Sequence, residues 1–542
     1  RCSLIYRAIC LILFQTELII RISSYCLFSM LNLATKERSK QRPLAIETVL
    51  AVSAVVLIVA IFLKAVLDVD NNYDPGWYHL PFAGRIWGIL PKSMFIGDEK
   101  WFEPRFDGFP LLAHFLQGFF WRITGRMQST NLVSFLSVIG YLFFLRKFFQ
   151  VPLYLSAIAL FSIPLVLTHA STSFVDLLGN IGVSILVMMS YRFYKNQQLP
   201  TKIELLMAVM GAAIAVNTKT QLQPLVFVIL IVAGIRLCWL WRYQVTVQQL
   251  IKMLPVALLA SVIIFASPIK NTVLYGNPLY PIKVQVAGIV LNHKLSPEAY
   301  EEGNRQLNWL KSVLDINTPL TWTPDQWSDD LLRNRRGGFF GAYVVFNCLL
   351  LFGFLVRELI QNKSLPKSDR SQSAKFAVLT AIAMSLPPLN FPQSHELRYF
   401  MYWMICLVSL NLDLVALPKN RQLLGKWLQP KYMGLVYAIF LTIVLVKTQG
   451  FYVKPSLITE DQYINFGVKQ QFLSKIQPND QVCLISKHIG KNVKREPIVA
   501  LKYVFAYSSY FHPEKNYDYS IQAALKPESC GDRKIIPLYF QK

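Results

Sequence analysis

Long apolar runs recur along this chain, and they constrain its fold more than any other feature. Thr48–Leu67, Leu222–Leu240 and Phe339–Leu355 each approach the roughly 20 residues that a helix needs to cross a bilayer. A soluble helix would interrupt such runs with a polar face at every turn or two. Charged residues make up 16% of the 542 positions, against about 25% in soluble domains. The sequence therefore predicts an all-α polytopic membrane protein.

The apolar runs divide into about 11 predicted spans. A further run, Leu111–Ile123, is short and contains His114 and Gln117, so we predict a juxtamembrane helix along the outer leaflet. If it crossed the bilayer, Arg146, Lys147 and every later basic loop would change sides. The predicted spans are Thr48–Leu67, Asn131–Leu145, Val151–Thr168, Leu177–Tyr191, Ile203–Val216, Leu222–Leu240, Ile251–Ala266, Phe339–Leu355, Phe376–Leu386, Tyr399–Leu417 and Met433–Val446.

The net charge of +24 would suggest nucleic acid in a soluble protein. In a membrane protein it indicates cytoplasmic loops rich in Lys and Arg, and contacts with anionic lipid. We therefore expect the lipid bilayer, and no nucleic acid, as a partner. Basic residues such as Arg192 and Lys195 occur in nearly every second loop between predicted spans. With these basic loops in the cytoplasm, the loops 68–130 and 267–336 lie on the outer side of the cell membrane, which is the inner membrane in a bacterium.

The chain divides into three predicted parts. Met30 resembles a natural start, so we expect 1–29 to be upstream sequence or a weak extra anchor. Cys483 and Cys530 fall in a polar region, where a single disulfide between them is an open alternative. The parts are 1–47, an N-terminal segment with a basic cytoplasmic stretch; 48–447, the transmembrane domain; and 448–542, an extracytoplasmic tail forming a small α/β appendage.

The first outer loop carries a carboxylate among aromatic side chains, Asp74 in the segment Tyr73–His79. A partly desolvated carboxylate at a membrane surface can serve as a general base. Asp74 followed by Pro75 is also a favourable start of a helix, with the acid as N-cap. General base and helix cap are therefore two open interpretations for Asp74, and both roles can coexist.

Other charged residues stand at the predicted outer ends of helices. Asp176 lies at the mouth of one helix, where it is a second candidate acid or a cap. Lys219, Lys270 and Arg398 lie at the ends of others. Charges at membrane depth are costly and often functional. These three could hold a phosphate, or they could extend toward outer headgroups.

These motifs resemble those of the GT-C superfamily of membrane glycosyltransferases, in the group of protein O-mannosyltransferases and bacterial aminoarabinose transferases. The segment Asp74–Tyr78 is similar to the superfamily's Asp-Glu-x-x-Tyr element, but Pro75 replaces the second acid, which argues against protein mannosylation. The resemblance extends in order from Asp74 to Tyr399. The other matching segments are Phe109–His114, Ser173–Leu177, Thr218-Lys219, Ser267–Asn271, Gly276–Pro281 and Arg398-Tyr399.

The resemblance implies a GT-C-like bundle and a reaction. A sugar would pass from a polyprenyl-phosphate-type carrier to an acceptor hydroxyl at the outer face, with inversion. Asp74 would be the general base, and Asp176 would orient the acceptor or the donor. Donor phosphate would be bound by Lys219, Lys270 and Arg398. The other pocket residues would be Tyr78, His79, His114, Asn271 and Tyr399.

The resemblance implies no cofactor, because phosphate is a good leaving group. Some GT-C enzymes use a divalent metal, and the outer carboxylates leave one as an open alternative. The expected partners are the polyprenyl-phosphate-linked sugar donor and an acceptor that is a glycan, a lipid or a protein. The outer carboxylates in question are Asp70, Asp98, Glu99, Glu103 and Asp107.

Two other functions fit a basic outer cavity in a bundle of this size. A flippase or transporter for a lipid-linked sugar would show internal repeats and broken helices, and we find no repeat. A polysaccharide polymerase or ligase would rely on a large late outer loop. The distinctive feature of this chain is its early aspartate loop, which favours the transferase.

Overall fold

The fold is seen in a computed structural model that describes most of the chain. The N-terminal segment with Met30 lies outside the described residues, as do Asp98 and Glu99. The described residues are 45–90, 102–242, 246–286, 288–296, 304–315, 338–364, 366, 371–393, 395–417, 428–488, 499–524 and 527–540.

Helices dominate the part of the chain up to residue 447. The first seven are α1 (Ala45–Leu67), α2 (Leu80–Ile86), α3 (Glu103–Gly108), α4 (Leu112–Thr124), α5 (Leu132–Phe149), α6 (Leu153–Phe161) and α7 (Pro164–His169). The next five are α8 (Asp176–Lys195), α9 (Lys202–Thr218), α10 (Leu222–Trp241), α11 (Val247–Ile264) and α12 (Ala266–Tyr275). The last five are α13 (Arg305–Val313), α14 (Gly341–Ser364), α15 (Ser373–Asn390), α16 (Tyr402–Ala416) and α17 (Pro430–Lys447).

Short elements connect several of these helices. A π-helical turn, Pro75–His79, leads into α2, and the 3₁₀ turns Met127–Asn131 and Leu397–Phe400 lead into α5 and α16. Two short strands, β1 (Gln285–Val286) and β2 (Ile289–Val290), pair in antiparallel fashion after α12.

Six of the described helices are long and apolar enough to cross a membrane, namely α1, α5 with its preceding turn, α8, α10, α14 and α17. A seventh span results if α11 and α12, which meet at a bend of 71°, are counted as one. Other predicted spans coincide with α9, α15 and α16, which fall outside these six. The count of about 11 spans therefore stays a prediction.

The predicted span Val151–Thr168 is two helices, α6 and α7, separated by Ser162 and Ile163. Ile163 adopts an extended backbone with ψ of 109°, and Pro164 begins α7. A residue before proline disfavours the helical conformation, because the proline ring clashes with its backbone. Proline therefore sets this break.

Helix α8 lies at the centre of the bundle, where it packs against α5, α9, α10, α15 and α16. Its antiparallel neighbour α9 approaches most closely where two glycines face each other. A Cβ atom at Gly182 would lie 2.7 Å from the carbonyl oxygen of Gly211. Because neither glycine has a side chain, the two backbones touch. This contact brings the first residue of α8, Asp176, beside the residue that follows α9, Lys219.

The residues after α17 form an α/β unit. It contains helices α18 (Glu460–Gly467), α19 (Gln470–Leu473) and α20 (Val499–Ala506). Strands β3 (Gln481–His488), β4 (Ser520–Ala524) and β5 (Lys534–Phe540) form a parallel sheet in the order β4-β3-β5. A disulfide joins Cys483 on β3 to Cys530.

The α/β unit shares a hydrophobic core with the first loop of the bundle. Phe82 and Trp121 of the bundle lie in the same cluster of buried residues as Phe505 and Tyr507 of the unit. A polar contact adds to this core. The carboxylate of Asp68, just after α1, accepts hydrogen bonds from backbone N–H groups of the segment that leads into α18. The unit is therefore packed on the segment that carries Asp74.

Candidate functional site

A cavity of about 200 Å³ opens where several helix ends meet. The C-terminal end of α9 and the N-terminal ends of α8 and α10 contribute to its wall, together with the loop after α1 and the turn before α16. Its wall contains two carboxylates and three basic side chains. These are Asp74, Asp176, Arg105, Lys219 and Arg398. Chemistry in this cavity therefore involves opposite charges that are largely screened from water.

Asp74 and Arg398 form the first ion pair of the cavity. Arg398 Nη1 lies 2.7 Å from Asp74 Oδ2, and the two side chains are only 14% and 16% exposed. Asp74 precedes the π-helical turn, with Pro75 in the first position as expected, but its side chain makes no capping hydrogen bond. The interpretation of Asp74 as a side-chain cap is therefore wrong, because its carboxylate turns to the guanidinium 324 residues away.

Asp176 and Lys219 form the second ion pair, between Asp176 Oδ1 and Lys219 Nζ. Asp176 is the first residue of α8 and makes no capping hydrogen bond there, since Val175 holds the cap position. Burial holds the pKa of Lys219 below its usual value, and the nearby Arg398 adds to this effect while Asp176 opposes it. The pair forms because the α8–α9 hairpin places both residues at the same end.

Tyr399 lies between the two cations. Its ring centroid is 3.9 Å from Lys219 Nζ, and its hydroxyl accepts a hydrogen bond of 3.2 Å from Arg398 Nη2. Burial raises the pKa of Tyr399 to about 12. Asn180, one turn into α8, donates to the backbone oxygen of Arg398 and accepts from the backbone of Tyr402. The turn that carries the arginine is thereby fixed to the helix that carries Asp176.

A pair of histidines lies beside these charges. His79 Nδ1 and His114 Nε2 are 2.9 Å apart, and both side chains are buried. Burial lowers the pKa of His79 to about 3 and holds the pKa of His114 below its usual value. Tyr78 and His114 belong to the cavity wall, and the ring centroid of Tyr78 lies 4.0 Å from that of His79. Three of the expected pocket residues, Tyr78, His79 and His114, therefore lie beside one another at the cavity.

Lys270 and Asn271 do not reach the described cavity wall, contrary to the expectation that Lys270 joins the other cations there. Both lie on α12, beyond the bend from α11. Lys270 Nζ donates to the backbone oxygen of Asp107, and Asn271 Nδ2 donates to that of Gly108 at 2.8 Å. They hold the segment whose next residue, Phe109, lines the cavity.

Arg105 is a cavity residue that sequence reasoning missed. It lies on α3, and its guanidinium carbon is 5.2 Å from the ring centroid of Trp77. Both side chains line the cavity. Sequence reasoning singled out only the acids of this segment, Glu103 and Asp107. The available signal was a basic residue in a predicted outer loop, near an aromatic motif.

A buried polar junction ties the two carboxylate segments together. Asp70, four residues before Asp74, accepts a hydrogen bond of 2.8 Å from the backbone N–H of Ser173. Ser173, three residues before Asp176, donates its hydroxyl to Asn131 at 2.6 Å. All three polar side chains are buried. The distance between the two acids is therefore set by protein contacts rather than by the loops alone.

Two of the outer carboxylates suggested as metal ligands, Asp70 and Glu103, have protein partners. Asp70 binds Ser173, and Glu103 forms an ion pair of 2.6 Å with Arg85. Within the described ranges, no group of three or more His, Cys, Asp or Glu residues could hold a metal ion. Asp98 and Glu99 lie outside those ranges. The use of a metal stays an untested alternative.

Comparison with known proteins gives one structural likeness. No family model matches the chain, and no curated protein matches it. The crystal structure of ArnT from Cupriavidus metallidurans in the apo state is similar over 87% of this chain and 84% of that chain. The sequence identity is 12% and the TM-score is 0.40.

Proposed function

We propose that this protein is an integral membrane glycosyltransferase of the GT-C type. It moves a sugar from a polyprenyl phosphate carrier to an acceptor hydroxyl on the extracytoplasmic face. The observation that carries the proposal is the pairing of two carboxylates with two buried cations in one small cavity at the ends of apolar helices. Such a site contains both a proton acceptor and anion-binding groups, which this reaction requires.

The distribution of basic residues supports the extracytoplasmic placement. Helix α8 begins at the cavity with Asp176 and ends with Arg192 and Lys195. Helix α10 also begins at the cavity and is followed by Arg242, and α9 runs toward the cavity from Lys202. The ends of these three helices away from the cavity therefore carry or adjoin basic residues. Under the positive-inside rule, this pattern supports a cytoplasmic position for those ends.

The proposed reaction is a single displacement. Asp74 takes the proton of the acceptor hydroxyl as the acceptor oxygen attacks the anomeric carbon, and a new glycosidic bond forms. The bond between that carbon and the phosphate oxygen breaks on the opposite face, so the configuration inverts. The polyprenyl phosphate leaves with the electron pair, and Arg398 and Lys219 stabilise its growing negative charge. Protons and charges therefore balance without a further reactant.

The other cavity residues have supporting roles in this proposal. Asp176 holds the Lys219 ammonium at the cavity wall. Tyr78, His114 and Tyr399 provide aromatic surface and hydrogen-bonding groups for a sugar. The cavity volume of about 200 Å³ is below the roughly 300–1,000 Å³ of typical small-molecule pockets. The site therefore suits one monosaccharide rather than a long glycan.

The competing functions fit the geometry less well. Transporters commonly place the substrate near the bilayer midplane, between broken helices. Here the charged cavity lies at helix ends. A polymerase or ligase would draw on its late outer loop, yet Lys270 contacts the backbone of Asp107 and is absent from the described cavity wall. We therefore keep the transferase as the proposal.

The test is transfer by the purified full-length chain in lipid nanodiscs. Polyprenyl phosphates that carry a radiolabelled hexose or pentose are supplied with extracted envelope acceptors, and label on a new acceptor is measured. Asp74→Asn should lower the rate by about 10²–10⁴-fold, because a general base contributes that much. Asp107→Asn is the matched control, since its side chain is exposed and does not line the described cavity.

The possible outcomes separate the candidate functions. Full activity of Asp74→Asn would remove Asp74 from the base role. Labelled donor that only changes leaflet, without reaching a new acceptor, would identify a flippase instead. Label that joins a growing glycan chain would identify a polymerase.

A further inference from the structure

Both paired cations of the cavity are neutralised by the protein's own carboxylates. Asp74 holds Arg398 and Asp176 holds Lys219. An unpaired charge at this degree of burial would be strongly destabilising. Each acid therefore serves as the counter-ion of a cation that the proposed reaction needs for phosphate.

Arg398 uses Nη1 and Nη2 for hydrogen bonds to side chains of the cavity wall. Its Nη1 binds Asp74 at 2.7 Å, its Nη2 donates to the Tyr399 hydroxyl at 3.2 Å, and its Nε lies 3.7 Å from Glu396. Asp74 and Tyr399 share the cavity wall with Arg398, and Glu396 is not among the described wall residues. A phosphate that enters the cavity thus meets Arg398 on the side that Asp74 occupies.

The two acids differ in their freedom to move. The side chain of Asp176 is 3% exposed and belongs to the buried helix α8, whereas that of Asp74 is 16% exposed and precedes a short turn. A phosphate also repels a neighbouring carboxylate and can take two parallel hydrogen bonds from one guanidinium. Exchange is therefore easier at Asp74 than at Asp176.

We propose that the phosphodiester group of the bound donor displaces Asp74 from Arg398, so that Asp74 becomes available as a proton acceptor only after the donor is in place. This inference rests on the proposed function, because it assigns the order of events at the same site. The Asp74–Arg398 pair is then the resting state of the enzyme. Donor binding converts a counter-ion into a base, and the acceptor reacts second.

The exchange predicts that removing the Asp74 charge tightens phosphate binding. We would titrate the full-length chain in detergent with farnesyl phosphate, with inorganic phosphate and with farnesol, and measure affinity calorimetrically. Asp74→Asn should bind farnesyl phosphate about tenfold more tightly than the unmodified chain, because the phosphate no longer competes with a carboxylate. Farnesol, which lacks the anion, should bind equally to both.

Glu396→Gln is the matched control. It removes a carboxylate that faces the same guanidinium at 3.7 Å but is absent from the described cavity wall. We expect a change in affinity of no more than about twofold, since only exchange at Nη1 is proposed. Equal tightening in both variants would indicate a general charge effect and would overturn the exchange. Unchanged or weaker binding by Asp74→Asn would overturn it as well.

The two phosphates distinguish the source of the anion. Tighter binding of both phosphates supports an exchange driven by the phosphate alone. Tighter binding of farnesyl phosphate only supports an exchange that needs a lipid-borne phosphate.

A size-exclusion profile checks that each variant is folded, and Asp74→Ser is the second uncharged variant if Asp74→Asn is not folded. Asp74→Asn that binds more tightly while the unmodified chain transfers no sugar would refute the proposed function but retain the anion exchange. Sugar transfer without tightening would refute the exchange alone.

Discussion

Lys219 is the cavity cation whose charge responds most directly to pH. Its ammonium is ion-paired with Asp176 and lies against the ring of Tyr399. Burial and the charge of Arg398 lower its pKa from the usual value of 10.5, while Asp176 opposes this shift. The folded protein therefore releases this proton at a lower pH than an exposed lysine would. Arginine at the same position would stay protonated.

This pKa shift predicts an alkaline limit to activity. As pH rises through the lowered pKa of Lys219, kcat/KM should fall, because a neutral amine no longer stabilises the departing phosphate. In Lys219→Arg, the alkaline fall in kcat/KM should move to higher pH or vanish. Rate profiles from pH 7 upward for both proteins provide the measurement. An alkaline limb at the same pH in both would assign it to another group.

At the scale of elements, the α8–α9 hairpin sets the geometry of the second ion pair. Gly182 and Gly211 allow the two backbones to touch, since a Cβ atom at Gly182 would lie 2.7 Å from one backbone atom and 2.8 Å from another. Such distances are too short for a side-chain atom. Any residue larger than glycine at Gly182 must move one helix away from the other. Asp176 and Lys219, at the ends of these helices, would separate.

Gly182→Ala should therefore lower the free energy of unfolding of the purified protein by about 1–3 kcal/mol, the usual cost of overpacking. It should also lower transfer activity. Gly140→Ala is the matched control, because a Cβ atom at Gly140 of α5 would meet nothing within 4 Å. Alanine is the better helix former, so that variant should be neutral or slightly more stable. Thermal unfolding in detergent measures the stability of both variants. Equal stability of the two would contradict the close contact between the backbones of α8 and α9.

The whole molecule combines a helical bundle with an α/β unit that covers the first loop. The shared core includes Phe82 and Trp121 on one side and Phe505 on the other. The disulfide between Cys483 and Cys530 supports an oxidising compartment for the unit. This agrees with the proposed extracytoplasmic placement of the cavity and the unit, which rests on the charge distribution. The two lines of support are independent, because one concerns redox chemistry and the other concerns charge.

Sidedness can be tested with single cysteines in a background without the other free thiols. Lys454→Cys, exposed beside the unit, should react with a membrane-impermeant maleimide in intact spheroplasts. Lys147→Cys, exposed at the far end of α5, should react only after permeabilisation. The reverse pattern would place the cavity in the cytoplasm and contradict the proposed topology.

The helices were largely predictable because apolar length is a local property. The predicted span Leu222–Leu240 differs from α10 by a single residue at its end. The predicted juxtamembrane helix Leu111–Ile123 corresponds to α4, shifted by one residue at each end. The break at Pro164 was not predicted, although proline is a known signal for one. The bend of 71° between α11 and α12 falls at Phe265, three residues before Pro268, which lacks the N–H needed to continue the helix.

The site was predictable only in part. Residue type and helix-end position selected Asp74, Asp176, Lys219 and Arg398, and these do line one cavity. The same criteria selected Lys270, which sits beyond the bend and contacts backbone instead. Position along the chain does not reveal which way the side chain of a half-buried lysine extends.

The amino-acid sequence alone predicts a helical membrane protein and most of the charged residues of the cavity. Hydrophobic length and charge act locally, so they can be read from neighbouring residues. The pairing of each acid with its base depends on the three-dimensional fold, since Asp74 and Arg398 are 324 residues apart. The fold also brings Arg105 into the site and leaves Lys270 outside the described cavity wall. Such pairings depend on helix packing and bends, which arise from contacts between distant segments.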